Sequence, residues 1–90
     1  MDTEMKRTAA PTDRQLEALK FIGSYRAENG YSPSMDEISR HMRVSIARGW
    51  KFVSDLVELG LLKNTKHISR STVITPAGEG ILTAGQELGG

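Results

Sequence analysis

Apolar residues recur at helical spacing through the first two-thirds of the chain and give way to a β-branched run after residue 70. Leu16, Leu19, Ile22 and Tyr25 repeat every three residues, with Phe21 beside them, which predicts one apolar face on a helix over about 13–28. Thr12 and Gln15 form a capping-box pattern behind Pro11, and Asn29-Gly30 supplies the left-handed stop. Tyr31-Ser32-Pro33 reads as an extended connection. Ser34 and Glu37 repeat the box, and Met35, Ile38 and Met42 predict a second helix over about 35–42. Arg43-Val44 turns the chain, Ser45 caps a third helix over about 46–59, and Gly60 ends it.

In the third helix Gly49, Val53 and Leu56 share one side, and Ile46, Phe52, Val57 and Leu59 widen that apolar arc. The opposite side holds Ala47, Arg48, Lys51, Ser54, Asp55 and Glu58, with the bases in the N-terminal half and the acids in the C-terminal half. This order opposes the helix macrodipole, which favours acids at the N-terminus. It makes sense if the N-terminal half faces phosphate or base edges. Leu16, Leu19, Ile22, Ile38, Val53 and Leu56 are the expected core.

After Gly60 the period changes. Leu61-Leu62 begins a short strand, Asn64 to Ser71 is polar and basic, and Thr72-Val73-Ile74-Thr75 reads as the returning strand of a hairpin. Pro76 opens a last helical turn with Ala77, Ile81 and Leu82. Residues 1–10 are expected to be a disordered leader, 11–83 one domain, and 84–90 a flexible tail. The resulting class is mainly α with a small β-hairpin, three helices and then the hairpin.

Ninety residues support one domain with a modest core, and the absence of cysteine excludes a disulfide scaffold and thiolate metal sites. The leader has no apolar stretch and no segment is long enough to span a bilayer, so no membrane partner and a cytoplasmic location are expected. The net charge of +1 conceals a marked asymmetry. Residues 40–72 hold seven bases and two acids, net +5, whereas residues 1–39 and 73–90 are each net −2. A basic block in an otherwise acidic chain is the footprint of a polyanion binder, although an unevenly charged solvated surface gives the same numbers. His41 and His67, far apart and without cysteine, predict no metal or cofactor, and no nucleophile–base set or phosphate loop predicts an enzyme.

Three helices and a basic hairpin are the order of a winged helix-turn-helix, in which the third helix enters the major groove and the hairpin reaches backbone or minor groove. Arg48 and Lys51 are the expected DNA contacts on that helix. Arg40 and Arg43 flank the turn as phosphate ligands, and Lys66, His67 and Arg70 surround the wing tip. Thr12-Asp13-Arg14-Gln15, Leu19, Phe21-Ile22, Asn29-Gly30-Tyr31-Ser32-Pro33-Ser34 and Glu37-Ile38 resemble the N-terminal DNA-binding domain of LexA-type repressors. The likeness continues through Val44-Ser45, Val53, Leu56 and Gly60-Leu61, over roughly residues 11–75. Thr75-Pro76-Ala77-Gly78-Glu79 is similar to the strand-to-helix junction of MarR-like regulators.

The LexA resemblance implies that Ser45, Ala47, Arg48, Trp50 and Lys51 read operator bases. It also implies double-stranded DNA as partner and a bacterial or phage repressor, with a homodimer on a palindromic site as the usual arrangement. Its serine–lysine self-cleaving domain has no counterpart in these residues, so a stand-alone regulator or an excised domain is expected. Two departures stand out. Arg43 occupies a turn position where the family usually has Gly, which costs roughly 1 kcal/mol if that backbone is left-handed. Trp50 and Phe52 stand where the family is mostly polar. Trp50 suits packing on helix 2, contact with a thymine methyl or sugar, or a protein partner. The last option makes a protein-interaction module, such as a phage-encoded modulator of a host regulator or polymerase, the competing function.

Overall fold

The computed structural model describes residues 11–65 and 70–89. In order these form α1 (Asp13–Asn29), α2 (Met35–Met42), α3 (Ile46–Glu58), β1 (Leu62–Lys63), β2 (Val73–Ile74) and α4 (Pro76–Gly89). The leader and residues 66–69 lie outside the described residues.

Local chemistry sets the helix ends. Thr12 and Ser34 each complete a capping box, their hydroxyls accepting the Gln15 and Glu37 N–H groups at 3.1 Å. The Ser45 hydroxyl accepts from Arg48 N–H at 3.2 Å and starts α3. At the other ends, α1 stops at Gly30 with φ 82°. The α2 and α3 termini close as Schellman motifs. Val44 N–H reaches Ser39 O and Arg43 N–H reaches Arg40 O, and Leu61 N–H and Gly60 N–H make the matching pair to Leu56 O and Val57 O.

The left-handed residue of the second motif is Gly60, at φ 80°, but that of the first is Arg43, at φ 61°. A side chain in that region costs about 1–2 kcal/mol, partly offset by the extra freedom glycine has when unfolded. Arg43→Gly is therefore expected to stabilise the protein by about 0.5–1 kcal/mol, seen as a rise of a few degrees in melting temperature. A fall would show that the arginine side chain itself holds the turn.

The three helices enclose a core of Ala18, Leu19, Ile22, Ile38, Met42, Val53, Leu56, Leu61 and Leu62. Leu16, expected inside, is only half-buried. Helices α2 and α3 cross closely enough that a Cβ on Gly49 would lie 2.0 Å from Ser39 Oγ. Arg14 ties α1 to this pair: its guanidinium donates to Met42 O at 2.6 Å, satisfying a carbonyl at the end of α2, and sits 5.7 Å over the Phe52 ring of α3.

The strands pair antiparallel, Leu62 with Ile74 and Lys63 with Val73. Ile81 and Leu82 pack partly against the core. The backbone remains helical from Pro76 to Gly89, where the sequence pattern gave a single turn and a tail. Four glycines in that segment dilute the helical signal, but Leu82, Gln86 and Leu88 are good helix formers.

Candidate nucleic-acid interface

With Gly49, Val53 and Leu56 turned inward, α3 presents Ala47, Trp50, Lys51 and Ser54 outward. These sit at positions i, i+3, i+4 and i+7 and so form one stripe, with Arg48 beside it. Ser45, Ala47, Arg48, Trp50 and Lys51, the expected base readers, are all exposed at the start of α3. Among the described residues, Arg43 and Arg48 make no salt bridge. Arg40 pairs with Asp36 one turn back on α2, and Lys51 pairs with Asp55 at 3.1 Å. Asp55 also accepts from the Gln15 amide at 3.2 Å, so it belongs to the α1–α3 contact as much as to the charged face.

The apolar arc read along α3 is only partly covered. Phe52 and Leu59 are half-buried, but Ile46 is 48 % exposed, Trp50 45 % and Val57 39 %. Periodicity located the face correctly but not its width, because α1 and α2 cover one side of α3 and leave the other open. Trp50 is thus not a core residue.

Arg70 departs furthest from expectation. Rather than projecting from the hairpin, its guanidinium folds onto α1 and α2. It donates to Glu37 Oε1 and Oε2 at 2.9 and 3.2 Å, to Tyr25 Oη at 3.2 Å and to Ser32 O at 3.1 Å. The Tyr31 ring lies 4.9 Å beneath it. Arg70 itself is left-handed at φ 56°. Ser32, buried between the elements, donates to Thr72 O and ties the same corner to the returning strand. This node anchors the returning limb of the hairpin just before β2. Sequence reading missed it because its partners are far apart in the chain. The two other residues expected at the wing, Lys66 and His67, lie outside the described residues.

The node also perturbs Glu37. The Ser34 N–H and then the Arg70 guanidinium hold its carboxyl at about 2, below its ordinary 4.5. The folded value is the lower one, so the unfolded chain binds more protons between those limits. The contribution is complete above about pH 4.5 and is lost as pH falls toward 2. Glu37→Gln keeps the cap but removes the titration. The urea midpoint of the wild type is expected to exceed that of the variant at pH 6, with the gap closing by pH 2. A gap that ignores pH would remove the ion pair from the account.

Among the described residues no cluster of His, Asp or Glu is suited to a metal ion. No described helix is long and apolar enough to cross a membrane.

A tri-helical core with a two-stranded hairpin, and a third helix whose exposed start carries Arg48 and follows Arg43 at the turn, both unpaired among the described residues, define a winged helix-turn-helix protein. The comparison with known families gives the branch: the model described as the LexA DNA binding domain matches residues 9–71, and the chain belongs to that family. A LexA repressor of Koribacter versatilis is 39 % identical over 72 residues, covering 78 % of this chain and 34 % of the relative. A LexA repressor of Thermosipho africanus is 34 % identical over 82 residues, covering 83 % and 41 %. LexA repressor 1 of Geobacter sulfurreducens is 36 % identical over 62 residues, covering 68 % and 31 %. The chain therefore spans only about a third to two-fifths of the length of these relatives.

Proposed function

We propose that this chain is a sequence-specific double-stranded DNA-binding transcription regulator of repressor type. The observation that carries the reading is the outward stripe of α3, held on α2 at a close crossing and flanked by Arg43 and Arg48, which are unpaired among the described residues. In this reading α3 lies in the major groove, where each base pair has a distinct edge pattern. Arg48 and Lys51 meet base edges or phosphate, Lys51 exchanging its weak, exposed intrahelical pair for the DNA. Arg40 and Arg43 meet phosphate, and Lys63 on the hairpin serves the flanking backbone. The repressor names of the relatives support the regulatory role. A homodimer on a palindromic site fits the small number of phosphate contacts one copy can make.

The test is selection of binding sites from a random-sequence duplex pool, followed by affinity measurements at two salt concentrations. A defined motif and a steep salt dependence are expected. Arg48→Ala is expected to weaken binding about tenfold or more and to relax preference at one position or lower the salt slope by about one. Arg70→Ala separates the wing node from the phosphate contacts. It is expected to lower stability while leaving the salt slope unchanged, because its guanidinium is already engaged. No enriched motif, with binding weaker than about 10⁻⁵ M, would overturn the regulator reading.

A further inference from the structure

The outward stripe explains the polar residues at the start of α3 but not its apolar edge. Ile46 and Trp50 lie one turn apart on the same side of the helix, and both are about half exposed, at 48 % and 45 %. Ala47, also exposed, adjoins Trp50 one turn back. Large apolar surface left in water is unfavourable at roughly 25 cal/mol per Å², so a chain with so small a core gains by covering it. The indole N–H makes no hydrogen bond among the described residues, which leaves the ring a free donor as well as an apolar face.

The charge around this edge identifies what covers it. Arg43 and Arg48 are exposed, unpaired among the described residues, and bracket Ile46 and Ala47 in sequence. Lys51 follows Trp50 directly. An apolar edge set within cations matches a surface that is anionic at its rims and offers apolar groups between them. The major groove of duplex DNA is such a surface: phosphates line it, and the C5 methyl of thymine is the apolar group that unmodified bases present there.

We infer that the Ile46–Trp50 edge of α3, with Ala47, reads thymine methyl groups, so that the preferred site carries thymine at one or two adjacent positions per half-site. This rests on the DNA-reading function proposed above and deepens it.

The experiment uses the full chain and the duplex selected from the random pool, with each thymine in turn replaced by uracil. That exchange removes the methyl and leaves base pairing intact. One or two thymines per half-site are expected to lose about fourfold in affinity on replacement, the value of one buried methylene. Trp50→Ala is expected to weaken binding to the thymine duplex and to erase the difference between thymine and uracil there. Trp50→Phe, which keeps an apolar ring, is expected to retain that difference. Trp50 is exposed, so these variants fold, and melting temperature checks that they do.

If a motif is selected but every thymine tolerates uracil within twofold, the methyl reading is wrong and the DNA-reading function stands. If the uracil effect persists in Trp50→Ala, the methyl is read by another residue and the assignment fails. If no motif is selected, both fall together, and the edge is assigned to a protein partner.

Discussion

Gly78→Ala is expected to lower the melting temperature by about 10 °C, a loss of about 2 kcal/mol in a domain of this size. Gly78 is buried in the first turn of α4. A Cβ there would lie 2.4 Å from Leu61 O and 2.7 Å from Ile74 Cγ2. The carbonyl cannot simply swing away, because it accepts Thr75 N–H at 3.1 Å. Thr75 is itself fixed: its hydroxyl donates to Gly60 O at 2.7 Å and accepts Gly78 N–H at 3.1 Å. Overpacking against backbone costs about 1–3 kcal/mol or more, which outweighs the gain of at most about 1 kcal/mol from placing alanine in a helix. Gly80 is the internal control. It lies in the same helix, and a Cβ there meets nothing within 4 Å. Gly80→Ala is therefore expected to raise the melting temperature by a few degrees. Thermal unfolding by circular dichroism reads both signs, and a rise for Gly78→Ala would show that the strand-to-helix junction has slack.

The ends of α1, α2 and α3 were legible in the sequence because what sets them is local, whereas the length of α4 was not. Thr12 with Gln15 and Ser34 with Glu37 lie within one turn of each other, and both boxes form as the pattern predicts. The inward side of α3 was equally legible, since Gly49, Val53 and Leu56 need only helical spacing to find one face. Coverage is a different property. Whether Ile46 and Val57 are hidden depends on which neighbours arrive, and no periodicity encodes that. Arg70 shows the same limit for charge. Its place in a basic block suggested a phosphate ligand, but its partners Glu37 and Tyr25 lie 33 and 45 residues away. Arg14 likewise gives no sign in the sequence that it will cap α2 and stack on Phe52. Arg43 falls between the two cases. Its left-handed backbone followed from the turn position that the family resemblance supplied, not from the residue type, which argues against it.

The crossing of α2 and α3 links stability to DNA reading, and Gly49→Ala probes both. A Cβ at residue 49 would lie 2.0 Å from Ser39 Oγ and 3.1 Å from Ser39 Cβ. Ser39 is buried and its hydroxyl has no hydrogen-bond partner among the described residues, so that oxygen loses water without a replacement and costs the fold stability. Ser39→Ala alone is expected to stabilise the protein by about 1 kcal/mol, because it removes an unmet buried hydroxyl and keeps the Cβ. Gly49→Ala alone is expected to cost about 1–2 kcal/mol net, because alanine's helix preference offsets only part of the overlap. The double variant is expected to recover part of that loss but not all of it, since the Cβ–Cβ approach at 3.1 Å remains. The overlap is relieved by moving α3 away from α2, and this changes the spacing between Arg43 at the turn and Arg48 on the helix. Affinity for the selected duplex is therefore expected to fall about tenfold in Gly49→Ala even where the variant is fully folded, and to return partly in the double variant. A variant that melts lower yet binds unchanged would show that the overlap is absorbed within the core and that the stripe keeps its position. One that melts higher would mean that Ser39 rotates clear and that the crossing does not require glycine.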